Sequence, residues 1–230
     1  MNALTSTSTA VPASGPLDPS IVARAWAHGW AISRSTAAPI ERAGCFEIHV
    51  GKPDQVARYV FPRFDRDVLR TLVATEAGPG TWLKICARRE HVTGLLSGDW
   101  TIHEPEFLMS IPLAGGADPV IAGYRAQTER RGALAMVTIV AESGELAASG
   151  QAAIDGGFAT FDQIVTVEAH RRKGLGRLVM SALSNAARDA GARQGVLVAT
   201  EAGAALYQAL GWSMVSPVTA ASCSSAAPAA

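Results

Sequence analysis

Charge is scarce in this chain, and what there is cancels. Only 17% of the residues are charged, with 20 Lys and Arg set against 20 Asp and Glu, so the formal net charge is zero. A neutral molecule has no overall field to draw it to nucleic acid or to an anionic membrane surface. Cysteine is sparse too. Cys45, Cys86 and Cys223 are odd in number, far apart and without C-x-x-C spacing, which argues against a disulfide framework or a zinc centre and for a reducing compartment. No apolar run has the length needed to span a bilayer, and the start, MNALTSTSTAVPASG, has neither a basic segment nor a continuous apolar one. A cytoplasmic location, with no membrane partner, is the expectation. Apolar residues are plentiful: they make up 48% of the 230, enough for one large core or two small ones.

Residues 1–17 are Ser, Thr, Ala and Pro with almost no large apolar side chain, and predict a disordered tail. Asp18-Pro19 then opens a helix whose apolar side chains include Trp26 and Trp30 on one face, read as core anchors. CFEIHV from Cys45 and RYVFP predict strands, Asp65 to Ala77 a helix, TWLKICA a buried strand and Glu90 to Leu96 a short helix. Residues 18–113 therefore read as an N-terminal α/β half. Phe107 to Leu113 is a further strand, and AGGADP from Ala114 is a loop at which the boundary falls.

Three stretches follow with strong β character, ALAMVTIVA, LAASGQAAI and FATFDQIVTV, separated by Ser143-Gly144-Glu145 and Asp155-Gly156-Gly157. They predict three consecutive antiparallel strands. Beyond them Leu175, Leu178, Val179, Ala182, Leu183 and Ala186 recur at helical spacing until Gly191. His170 to Arg177 is thus a strand-to-helix turn, where the first amides of a helix lack intrahelical partners and the helix dipole favours an anion. Gly174 and Gly176 let a phosphate reach the main chain, and Arg171, Arg172, Lys173 and Arg177 surround it with charge. The plainer alternative is a solvated basic helix start. The turn lacks both the Gly-Lys-Ser/Thr ending of a P-loop and the three-glycine dinucleotide fingerprint. After Val215 the small, polar run SPVTAASCSSAAPAA predicts a second disordered tail, residues 218–230, carrying Cys223 as an exposed thiol.

Arg171-x-x-Gly174-x-Gly176, followed in order by QGVLVAT, EAGAALYQALGW and SMV, resembles the acyl-CoA-binding core of the GNAT superfamily of N-acetyltransferases from Phe161 to Val215. The resemblance implies an α/β (α+β) fold: a mixed, mainly antiparallel sheet flanked by helices, with a GNAT domain over 120–217 and the N-terminal α/β half packed on it. The strand and helix order from residue 45 to about 112 imitates that domain, as in tandem GNAT proteins, but no glycine pair occurs between Phe61 and Val68. The family normally has two helices between its first strand and the hairpin. Here only about a dozen residues separate Ile121 from Ala133, so the acceptor wall must come from elsewhere.

The same resemblance implies acetyl-CoA as co-substrate, no metal, and an unidentified primary amine as acceptor; a homodimer is left open. By position, Arg171, Arg172, Lys173, Gly174, Leu175, Gly176 and Arg177 are the pyrophosphate loop, Val165, Thr166 and Val167 flank the acyl arm, and a main-chain N–H near Val167 is the oxyanion donor. Tyr207 is the candidate general acid. Thr200 stands where many relatives have asparagine, and Glu168 where many have proline. Glu168 and Asp162, with Glu142, are the candidates for the base, whereas His170 is read as a loop residue. A second reading keeps the cofactor turn but makes the chain a catalytically inactive acyl-CoA-binding sensor or scaffold, which would have no need of Tyr207.

Overall fold

The computed structural model describes residues 17–96 and 98–224. In chain order the elements are α1 (Pro19–Ser33), β1 (Ile40–Arg42), β2 (Cys45–Lys52), β3 (Gln55–Phe61), α2 (Arg66–Thr75), β4 (Thr81–Ile85), α3 (Arg89–Val92), β5 (Trp100–Ile102) and β6 (Glu106–Pro112). They continue with β7 (Tyr124–Arg131), β8 (Leu134–Ala141), β9 (Leu146–Asp155), β10 (Phe158–Thr166), α4 (Leu175–Asp189), β11 (Gln194–Thr200), α5 (Glu201–Ala209) and β12 (Ser213–Cys223). Two compact units result: Pro112–Gly195, and Asp18–Ile111 together with the chain from Val196 onward. The predicted mainly antiparallel, helix-flanked architecture is found, with the parallel pair that makes it mixed lying in the second unit.

The first unit is a meander of four antiparallel strands, β7 to β10, with α4 laid across it. Gly132-Ala133 and Gly156-Gly157 make two-residue turns between paired Arg131 and Leu134 and between paired Asp155 and Phe158, with Gly132 and Gly156 at the positive φ such tight hairpins need. Leu175, Leu178, Val179, Ala182 and Leu183 form the buried face of α4. No helix lies between β7 and β8. Residues 124–131, read from sequence as a connection, are instead a fourth strand. YRAQTERR carries no apolar signal because it is a largely exposed edge strand, where charged side chains guard against further pairing. Residues 114–119 run unstructured along α4, where the Asp118 carboxylate accepts from Ser181 Oγ and Asn185 Nδ2 at 2.8 and 2.9 Å.

The second unit has the strand order β1-β2-β3-β4-β12-β6-β11, with β5 also on β12. β3 and β4 are parallel, joined through α2, and every other pair for which a register is defined is antiparallel. One face packs Tyr59, Phe61, Leu83 and Ile85 against Leu69 and Leu72 of α2. Trp26 and Trp30 are buried, as expected of core anchors, and the Arg58 guanidinium lies 3.9 Å from the Trp30 ring. Lys84, also buried, is ion-paired with Glu106, which provides the counter-charge that a cation out of water needs.

The C-terminal tail is a correction. Residues 218–223, expected to be disordered, belong to β12, whose Val218, Thr219, Ala220 and Ala221 are buried between β4 on one side and β5 and β6 on the other. Small residues look uninformative in isolation. Between two strands whose neighbours supply the bulk, they are what fits. Residues 1–16 and 225–230 lie outside the described residues. Among the described residues, no helix is long and apolar enough to cross a membrane.

Burial pushes the Cys45 thiol up to about 11, the Cys86 thiol up to about 12 and the Tyr59 phenol up to about 12. All three are held neutral in the fold but ionise at ordinary pH values of about 9 to 10 once unfolded. Their contribution is therefore complete below pH 9 and is lost as pH rises from 9 towards 12. Urea unfolding should show stability falling over this range, by at most about 1.4 kcal/mol per pH unit for each group. Cys45→Ala should flatten the fall.

Candidate functional site

The site is built where β10 turns into α4. Near its end β10 bulges: Asp162 pairs with Gln151 and Val165 with Ser149, so Gln163 and Ile164 together face Gly150. Gln163 takes the left-handed conformation at φ 55°, and its N–H donates to Asp162 Oδ1 at 2.9 Å, which fixes the bulge. Gly150 is required opposite. A Cβ there would stand 2.6 Å from Ile164 Cδ1 and 2.7 Å from Val179 Cγ1, so its absence lets α4 and the bulge settle onto β9.

Beyond β10 the chain makes a 3-10 turn over Glu168–His170, with Arg171 N donating to Glu168 O, and then crosses into the helix through two left-handed residues, Arg172 at φ 65° and Gly174 at φ 79°. Gly174 is the N-cap of α4 and no side chain caps it. The helix closes its first bond from Leu178 N to Gly174 O. Among the described residues no acceptor is present for the amides of Arg172, Lys173, Gly174, Leu175, Gly176 and Arg177. The side chains of Arg171, Arg172, Lys173 and Arg177 are exposed around them. A left-handed residue followed by helical ones turns successive N–H groups into one concavity, and the helix dipole adds to it. The chemistry is that of an anion cradle.

Val165, Thr166 and Val167 sit at the strand end that feeds the turn, with Val165 55% exposed. The Val167 N–H donates to Ala147 O at 2.9 Å, so an oxyanion donor near Val167 would have to be a neighbouring amide. Glu168 is exposed at the start of the 3-10 turn, and Asp162 holds the bulge. Glu142 lines an open groove of about 400 Å³ with Tyr124, Arg125 and Val140. Thr200 and Tyr207 belong to the other unit. Thr200 caps α5, its Oγ1 accepting from Gly203 N at 3.2 Å, and Tyr207 is half-buried on that helix with its ring 6.0 Å from Trp212. Among the described residues no His, Cys, Asp and Glu group large enough to hold a metal ion occurs.

Sequence reading missed Tyr124. Its hydroxyl lies 2.9 Å from His170 Nδ1 and 3.0 Å from Lys173 Nζ, and no local pattern could announce contacts made across 46 and 49 residues. The second unit supplies a contrast. There β3, α2 and β4 repeat the strand, helix and strand order, but Asp65 Oδ1 accepts from Asp67 N and Val68 N at 2.9 and 3.1 Å. The chain's own carboxylate occupies that helix start, and β3 and β4 stay paired from Ala57↔Thr81 to Phe61↔Ile85.

Residues 135–214 match the family model described as the acetyltransferase (GNAT) domain. Over that stretch, about a third of its length, the chain is similar to a GNAT domain. Solved structures carry the likeness of fold. A GCN5-related N-acetyltransferase from Kribbella flavida is 17% identical at a TM-score of 0.64, over 89% of this chain and 96% of that one. One from Sphaerobacter thermophilus is 13% identical at 0.56, over 91% and 93%. A tandem GNAT protein from the clavulanic acid biosynthesis pathway is 14% identical at 0.51, over 81% and 82%. No curated protein sequence matches. The match of residues 135–214 to that domain supports an acyltransferase.

Because Gly150 is walled in by Ile164, Val179 and Leu183, Gly150→Ala should overpack the seat of α4 and cost about 1–3 kcal/mol in urea unfolding. Unchanged stability would show that the helix is not held this closely.

Proposed function

We propose that this acyltransferase uses acetyl-CoA to acetylate a primary amine of a small molecule or peptide. The observation that carries the reading is the row of amides from Arg172 to Arg177 that meet no acceptor among the described residues and lie among exposed cations. Peptide N–H groups in such a row fit the diphosphate of coenzyme A: they approach closely through Gly174 and Gly176, and Arg171, Arg172, Lys173 and Arg177 offset its charge. The exposed end of β10 at Val165, Thr166 and Val167 suits an extended pantetheine arm bound through main chain, in the manner of an added strand. Thr200 has its Oγ1 engaged in capping α5, so its part in holding the arm is the weaker one.

Acetyl-CoA supplies an acyl group activated as a thioester. Transfer forms a C–N bond and breaks the C–S bond, so the chain has to take one proton from the amine and give one to sulfur. Tyr207 is assigned the second task, since a tyrosine hydroxyl can donate its proton. Glu168 is assigned the first. Its exposed carboxylate is not committed elsewhere among the described residues, whereas Asp162 is tied to the amide of Gln163.

Among the described helices of nine or more residues only α4 lacks a side-chain N-cap, so calorimetry should give about one CoA per chain, with affinity falling as salt is added. Gly174→Val should abolish binding, because a β-branched side chain resists φ 79° and covers the amides. Thiol release with an amine panel should be supported by wild type, and Tyr207→Phe should lower kcat on the order of 10²-fold with CoA affinity kept. A chain that does not bind CoA would end this reading. Binding without turnover on any amine would favour a sensor instead.

A further inference from the structure

Tyr124 stands at the start of β7, yet it meets both ends of the segment that leads into the phosphate turn. Its ring is edge-on to His170, with centroids 5.6 Å apart at 90°, and its hydroxyl is shared between His170 Nδ1 and Lys173 Nζ. A lysine ammonium has donors only, so Tyr124 Oη accepts from Lys173. With one proton and a second lone pair remaining, the same hydroxyl donates to His170 Nδ1 or accepts from it according to the imidazole tautomer, and holds the ring in either case.

The two residues gripped in this way bracket Arg172, which sits at φ 65°, a conformation that costs a non-glycine residue on the order of 1 kcal/mol or more. Left alone, residues 171–173 would relax towards ordinary backbone and the amides after them would lose their common direction. We infer that Tyr124 is a positioning residue: by holding His170 and Lys173 on one hydroxyl it keeps the turn preformed for a diphosphate, which then binds without first having to order the loop. The inference rests on the proposed use of coenzyme A. It assigns Tyr124 no contact with the reacting atoms.

The test measures CoA, inorganic diphosphate and pantetheine binding to wild type, Tyr124→Phe, Lys173→Met and the double variant. Removing the hydroxyl keeps the ring and its packing, so Tyr124→Phe should fold. Affinity for CoA and for diphosphate should fall about 5- to 10-fold in Tyr124→Phe, and pantetheine, which has no phosphate, should bind as before. Lys173→Met also removes a cation from the diphosphate, and the two changes share the Tyr124–Lys173 bond, so the double variant should lose less than the sum of the two single changes. Unchanged CoA affinity in Tyr124→Phe would overturn the inference, and so would an equal loss for pantetheine, which would mean general loosening of the unit. Failure of wild type to bind CoA at all is a separate result, and would remove the functional reading beneath it.

Discussion

A peptide N–H at the start of a helix has no acceptor within that helix, and something has to answer it. This chain answers it in two ways. At α2 the Asp65 carboxylate accepts from the first amides, so the helix start is closed by its own sequence. At α4 the N-cap is Gly174, which has no side chain to offer, and the amides from Arg172 to Arg177 meet no acceptor among the described residues. The open start is surrounded by cations and the closed one is not needed as a site. The residue type at the cap, Asp65 or Gly174, separates a helix start closed by its own side chain from one that is not.

An open helix start is useful only if it is held still. Gly150 allows Ile164, Val179 and Leu183 to close over β9, which fixes α4 on the sheet, and the bulge at Gln163 re-aims the last residues of β10 towards the turn. The strained backbone at Arg172 lies between two residues tied to one tyrosine. Rigidity here comes from apolar packing beneath the turn and hydrogen bonds beside it, with the amides themselves exempt.

The second unit handles buried polarity differently. Lys84 is neutralised by Glu106, and Arg58 is covered by Trp30, so its sheet carries cations in the interior without presenting them to a ligand. Burial lowers the Lys84 pKa and the Glu106 carboxylate opposes that shift, the balance expected of a charge kept for structure. Tyr207 and Thr200 are set on α5 and at its cap in this unit, on a helix whose start is closed by the Thr200 hydroxyl.

The sequence by itself determined the elements with strong periodicity and the turn between them. Alternating apolar residues announced β8 and β10, the three-and-four spacing announced α4, and the paired glycines among arginines marked the turn, because each of these signals is local. Only the tertiary structure decided the rest. β7 was hidden because an edge strand needs no apolar face, and the end of β12 because alanines and threonines gain their meaning from the strands on either side. Which amide near Val167 is free was decided by the bond of Val167 N to Ala147 O, and Tyr124 had no signal at all until β7 carried it to His170 and Lys173. Hydrogen bonds between residues distant along the chain depend on where the backbone has already been brought, and no window of sequence contains that information.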